Sequence, residues 1–204
     1  MDFLAGCPLT MTDYSQSGEQ AAILRSVGDQ VGSFLDIGAF SAKDLSNTRA
    51  LYEKGWSGVL VEPSPGPLKN IIREYGNDER IKIIAGAIGF ERKIVRFEAS
   101  DDGLTTSEPA NFKKWQQVGG FYGSFWVPMI TLDELLFQFG AFDFVNIDTE
   151  GTSAAILKVL LETQMRPRAI CVEHDGEMVE TVTMATAVGY HLEFLSGENA
   201  VLAL

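Results

Sequence analysis

The sequence predicts an α/β protein built on a doubly wound, mostly parallel sheet with helices on both faces and an antiparallel hairpin at its end. Three observations carry that expectation. Short apolar runs rich in branched and aromatic residues alternate with segments of helical period, which is the pattern of successive βαβ units. Four of those runs end in polar groups: Asp36, Glu62, Asp148 with Glu150, and Glu173 with His174. The last two runs, 190–195 and 200–204, are separated only by Ser196-Gly197-Glu198-Asn199, a turn that joins antiparallel strands.

Taken in order, residues 1–14 show no period and read as an irregular lead-in. Ser17-Gly18-Glu19-Gln20 has the form of a capping box, so a short helix is expected through Ala21, Ala22, Ile23 and Leu24. The first strand is Phe34-Leu35-Asp36-Ile37, and Gly38 follows it where the backbone must turn sharply or let another group come close. A helix over 46–54 and a strand over 58–62 come next. Pro63 and Pro65 end that strand, because proline cannot donate to a sheet ladder. Leu68, Ile71, Ile72 and Tyr75 recur at helical spacing, and a third strand covers 81–85. Residues 92–99 alternate as a further edge strand would.

The rhythm breaks over 101–127. This stretch mixes Gly103, Gly119, Gly120 and Gly123 with Trp115, Phe121, Tyr122, Phe125 and Trp126. It reads as an insertion packed by its own aromatics, a lid or acceptor-binding segment within one domain spanning 1–204. Thr131-Leu132-Asp133-Glu134 is a second capping box, opening a helix that Gly140 ends. A strand then runs into the acids at 148–150. A helix over 154–161, a strand over 169–173 and a helix toward Gly189 lead to the final hairpin.

Composition bounds the partners. With 204 residues, 46% hydrophobic and 22% charged, the chain has material for one full core. A formal net charge of -12 opposes binding to phosphate backbones, so no nucleic-acid partner is expected. The apolar runs are strand-sized and the start lacks a basic flank, so neither a membrane span nor a signal peptide is expected. Cys7 and Cys171 lack metal-ligand spacing and read as reduced thiols, which agrees with a cytoplasmic protein.

In a parallel sheet the four polar strand ends share one edge, so Asp36, Glu62, Asp148, Glu150, Glu173 and His174 converge on one crevice. The dinucleotide fingerprint is missing, since the first turn has only Gly38, and Asp36 would repel a pyrophosphate. An acid there suits a cationic group such as the ammonium of an amino acid, and Glu62 suits ribose hydroxyls. A nucleoside joined to a cationic amino acid is S-adenosylmethionine. Asp148 is the first candidate to position or deprotonate an acceptor, and His174 the second, because imidazole titrates near neutral pH. Glu150 assists or shapes the turn at Gly151. His191 reads as the polar face of a strand. Asp148, Glu150, Glu173, His174 and Asp175 also offer ligands to a hard divalent cation, although no metal is expected.

The chain resembles the FkbM-type S-adenosylmethionine-dependent methyltransferases. The likeness rests on Tyr14-Ser15-Gln16-Ser17-Gly18-Glu19, on 34–39 with Ser46-Asn47-Thr48 behind it, on Val61-Glu62-Pro63, on Thr131-Leu132-Asp133-Glu134-Leu135 and on Ile147-Asp148-Thr149-Glu150-Gly151, in the family's order. The resemblance implies the class I methyltransferase fold, Rossmann-like, with seven strands. It implies that Asp36, Gly38 and Ala39 hold the methionine part of the cofactor and Glu62 the ribose. Ala87 and Ile88 would line the adenine with Ser64 nearby, and Gln16 would border the cofactor. It further implies O-methylation of a small-molecule acceptor, a sugar or natural-product hydroxyl. Phe40 and Ala42 stand where many methyltransferases have glycine, so a different loop path is expected there. Two rival readings share the pattern: a nucleotide-dependent oxidoreductase on a Rossmann-like fold, and a catalytically silent protein that binds a carbohydrate or a partner.

Overall fold

The computed structural model describes residues 12–100, 103–118 and 120–204. Cys7 and most of the lead-in therefore lie outside the described residues, as do residues 101, 102 and 119 of the expected insertion.

The main sheet has seven strands: β1 (Ser33–Ile37), β2 (Ser57–Glu62), β3 (Ile81–Ala85), β7 (Phe144–Ile147), β8 (Ala169–Glu173), β9 (His191–Leu195) and β10 (Asn199–Ala203), in the order β3-β2-β1-β7-β8-β10-β9. β1, β2, β3, β7 and β8 pair in parallel, while β10 runs antiparallel to both β8 and β9. The chain winds outward from β1 through β2 to β3, then returns to set β7 on the other side of β1. That reversal between β1 and β7 is the topological switch point, where an open α/β sheet leaves a crevice beyond its strand ends.

Alternation along the strands fixes which helix packs where. Phe34, Leu60, Phe144, Cys171 and Val201 face one layer, formed by α1 (Glu19–Val27), α2 (Arg49–Glu53) and α3 (Pro65–Tyr75). Leu35, Val59, Val61, Val145, Ile147, Ile170 and Leu202 face the other, formed by α5 (Leu132–Phe139), α6 (Ser153–Glu162) and α7 (Met178–Thr186). The β7 residues Phe144, Val145 and Ile147 are each 0% exposed, as a strand covered on both faces requires. The free Cys171 is buried among them as a small hydrophobe. No helix among the described residues is long and apolar enough to cross a membrane.

Three local expectations need correction. The capping box at Ser17 does not form. α1 begins at Glu19 behind Gly18, which adopts a left-handed conformation. The Gln20 side chain instead accepts from Tyr14 N and donates to Thr12 O, so the preceding segment has claimed the group that would have capped the helix. The helix expected over 46–54 is shortened to Arg49–Glu53, because Ser46, Asn47 and Thr48 spend their side chains on hydrogen bonds that compete with a helical start. The capping box at Thr131 does form, with Glu134 N donating to Thr131 Oγ1 at 3.2 Å and Thr131 N donating to Glu134 Oε2 at 3.0 Å.

The third concerns the stretch between β3 and α5. β4 (Ala87–Gly89), β5 (Lys93–Ser100) and β6 (Phe121–Thr131) form a separate three-stranded sheet in the order β4-β6-β5, with α4 (Pro109–Trp115) between β5 and β6. The latter part of 101–127 is thus a long strand and not an irregular excursion. Its period of two was masked because both faces carry aromatics: Tyr122 and Trp126 point outward at 63% and 66% exposure, while Phe121 and Phe125 point inward. Phe125 stacks on Phe97 of β5 with ring centres 5.9 Å apart, and Phe121 meets Phe112 of α4 edge-on at 5.0 Å.

Candidate active site

Beyond the carboxyl ends of β1, β2 and β7 lies a crevice of about 560 Å³, a size that suits a small-molecule site. The strand ends form its floor. The inner face of the second sheet, with Val95, Phe97 and Met129, forms the opposite wall. Of the expected site residues, Gln16, Asp36, Gly38, Ala39, Glu62, Ser64, Ala87, Ile88, Asp148 and Glu150 all border this one cavity.

Gly38 is the hinge of the floor. Its φ is +81°, and a Cβ placed there would fall 1.7 Å from the carbonyl oxygen of Asp148, so only glycine allows the ends of β1 and β7 to meet. Gly38 N and Ala39 N both donate to Val61 O, at 2.9 and 3.1 Å, which ties the same turn to β2. Past it the chain takes an unusual path. Phe40 has φ 38° and Leu45 φ 60°, left-handed values without glycine, and the Tyr75 hydroxyl pins the loop by donating to Ala42 O at 2.6 Å. Glu150 and Asp175, on the β7–α6 and β8–α7 loops, share that conformation, so four strained residues ring the sheet edge.

The two acids on the β1–β2 side are buried and fully engaged. Asp36 accepts from the Thr48 hydroxyl at 2.6 Å and from Asn146 Nδ2 at 2.8 Å. Glu62 accepts from Phe40 N at 2.8 Å and Ser64 N at 2.6 Å, holding both lips of the crevice in place. Burial raises both carboxyl pKa values, and these donors work against the rise. Each carboxylate oxygen has a second lone pair, so Glu62 remains able to receive a ligand hydroxyl.

The β7–β8 side is arranged differently. One carboxylate oxygen from each of Asp148, Glu150 and Glu173 lies within 4.8 Å of the others. Burial and then the neighbouring Glu173 charge push the Glu150 carboxyl up to about 8. Burial, and then the neighbouring Glu173 and Glu150 charges, raise the Asp148 carboxyl well above its ordinary value. The Asp148 and Glu173 carboxyls lie within 4.8 Å of each other, and burial pushes Glu173 up to about 6. Glu173 also accepts from Glu150 N and Ser153 Oγ, each at 3.3 Å, and thereby braces the loop that carries Asp148. From the other wall, Asn111 Nδ2 and Thr106 Oγ1 donate to Glu150 O at 2.7 and 2.9 Å. The segment before β6 is therefore docked on the acidic loop, with Thr105, Ser107 and Glu108 facing the cavity.

The structure does not bring His174 into the cavity. It is 7% exposed, and Nδ1 accepts from Gly176 N at 3.2 Å while Nε2 faces Ser196 O at 3.5 Å, which makes it part of the β8–α7 turn. His191 is exposed on β9 beside Glu193. Gln16 reaches the cavity edge and donates to Glu198 on the β9–β10 turn. Sequence reasoning passed over Asn146 and named Asn47 only within the Ser46-Asn47-Thr48 block, without a site role. The available signal was Asn146 itself, a carboxamide inside the otherwise apolar run 144–147 of a strand covered on both faces, where a polar group needs a partner.

Fold and site together place the chain among proteins of class I methyltransferase architecture. Methyltransferase FkbM from Methylobacillus flagellatus superposes with a TM-score of 0.54 at 12% identity, over 85% of this chain and 44% of that one. The chain thus spans less than half the length of that protein. Precorrin-6y C5,15-methyltransferase from Geobacter metallireducens gives 0.52 at 13% identity, over 95% of this chain and 90% of that one. A methyltransferase of Podospora anserina, solved with SAH bound, gives 0.51 at 14%, over 94% and 80%. No curated protein sequence matches the chain. The methyltransferase FkbM domain model matches residues 36–198, and the chain belongs to that family.

Proposed function

We propose that this protein transfers a methyl group from S-adenosylmethionine to a hydroxyl of a small neutral acceptor, a sugar or natural product. The observation that carries this reading is a single crevice joining the Gly38 turn and Glu62 to the Asp148–Glu150 acids. Two features fit the cofactor. The missing Cβ at Gly38 leaves the strand ends close-packed at the crevice floor, and Asn47, which borders the crevice, has a buried Oδ1 with no partner among the described residues.

Gln16, Asp36, Gly38 and Ala39 would hold the amino-acid end, Glu62 the ribose, and Ser64, Ala87 and Ile88 the adenine. When bound, the sulfonium supplies an electrophilic methyl group. The remaining work falls to the protein: to hold the acceptor oxygen in line and to take its proton. Asp148, beside Glu150 and Glu173, would take on that second task in its ionised form. The crowd of acids repels an anionic acceptor, which favours neutral polyols.

Titration calorimetry with S-adenosylmethionine and S-adenosylhomocysteine tests the reading, followed by methyl transfer to a panel of glycosides and phenols. Binding of both compounds and transfer to a hydroxyl are expected. A folded protein that binds neither overturns it.

A further inference from the structure

A chain of buried hydrogen bonds runs from β1 to the crevice wall, and the direction of each link is forced. Asp36 only accepts, so Asn146 must turn its amide N–H toward Asp36 Oδ1, at 2.8 Å. That leaves the Asn146 carbonyl oxygen facing Asn47, which must in turn present its own N–H, at 3.0 Å. The Thr48 hydroxyl closes the far side by donating to Asp36 Oδ2 at 2.6 Å. What remains at the near end is Asn47 Oδ1. It is buried and has no hydrogen-bond partner among the described residues, in a residue only 8% exposed that borders the crevice together with Asp36, Gly38, Asn146 and Asp148.

Buried acceptors are nearly always paired, and this one is aligned with a carboxylate two links away. Asp36 polarises Asn146, which polarises Asn47, so the orphan oxygen carries more negative charge than an ordinary carboxamide. Its fitting partner is a cationic N–H donor. We infer that Asn47 Oδ1 accepts a hydrogen bond from the α-ammonium of the cofactor's amino-acid end, with Asp36 acting on that group through Asn146 and Asn47. This rests on the S-adenosylmethionine reading above. It turns the Ser46-Asn47-Thr48 block into a ligand-reading element: Thr48 fixes the carboxylate, and Asn47 delivers its polarity to the crevice.

The test is calorimetry with two probes that differ by one group: S-adenosylhomocysteine, and the same thioether of adenosine carrying a carboxypropyl chain without the amine. The unmodified protein should bind S-adenosylhomocysteine about tenfold or more tightly than the amine-free probe, the loss expected for one charged hydrogen bond. In Asn47→Ala that preference should shrink to near unity while affinity for the amine-free probe holds. Asn47→Ser, which retains a smaller polar group, serves if the alanine variant does not fold. Equal weakening of both probes would assign Asn47 a structural role and overturn the inference, as would an unchanged preference. Failure of the unmodified protein to bind either probe would overturn the cofactor reading itself.

Discussion

Two ends of the same sheet edge hold buried carboxylates in opposite circumstances. On the β1–β2 side, Asp36 and Glu62 each have both oxygens met by N–H or O–H donors. On the β7–β8 side, Asp148, Glu150 and Glu173 chiefly face one another. Burial raises all of these groups, and the second cause separates them: donors pull Asp36 and Glu62 back toward the charged form, while neighbouring acids push Asp148 and Glu150 further from it. One residue type thus does two kinds of work. Donor-rich acids fix loops in place, and the acids crowded by one another are held toward their neutral form.

The largest effect is expected where the two sides meet. Gly38→Ala would drive a methyl group into the Asp148 carbonyl at a left-handed position, and should cost about 3 kcal/mol or more or abolish folding, as read by denaturant unfolding. Next, Asp148→Asn should cut methyl transfer by about 10²-fold or more while leaving S-adenosylhomocysteine affinity nearly unchanged. A parallel loss of affinity would erase the distinction between the two sides.

A pH series sharpens it further. Glu150 holds its proton up to about 8 in the folded protein, against an ordinary value of 4.5. Between those values the folded state carries a proton that the unfolded chain has lost, so stability should fall as pH rises through that window and level off below it. The thermal midpoint should drop by a few degrees from pH 5 to 8, and Glu150→Gln should flatten the curve. Activity should move the other way, rising with pH as the cluster gives up its proton. Smallest is Thr48→Val, which removes one of the two donors to Asp36 and should cost about 1–2 kcal/mol of stability.

The main sheet was legible because its central strands are covered on both faces and so appear as nearly unbroken apolar runs, with acids marking the ends of several. Asp36, Glu62, Asp148 and Glu150 reached one crevice for that reason. In the second sheet β5 was legible and β6 was hidden: Tyr122 and Trp126 point outward from β6, and aromatics on both faces cancel the alternation that marks a half-buried strand. His174 shows another limit. A strand-end position indicates which edge a residue occupies, not whether its ring turns into the crevice or, as here, into its own turn. Asn47 depends on a hydrogen-bond partner on β7, 99 positions away, which no local pattern encodes.

The outward aromatic face of β6 also gives the molecule an optical label. Trp126 stands on the solvent side of the strand whose Met129 lines the crevice, while Trp56, at 1% exposure, sits in the core. A neutral quencher such as acrylamide reaches the first indole and not the second. Once the half-buried Trp115 of α4 is replaced by phenylalanine, emission from the crevice wall and from the core can be separated, and ligand-induced movement of that wall followed without altering a residue that faces the cavity.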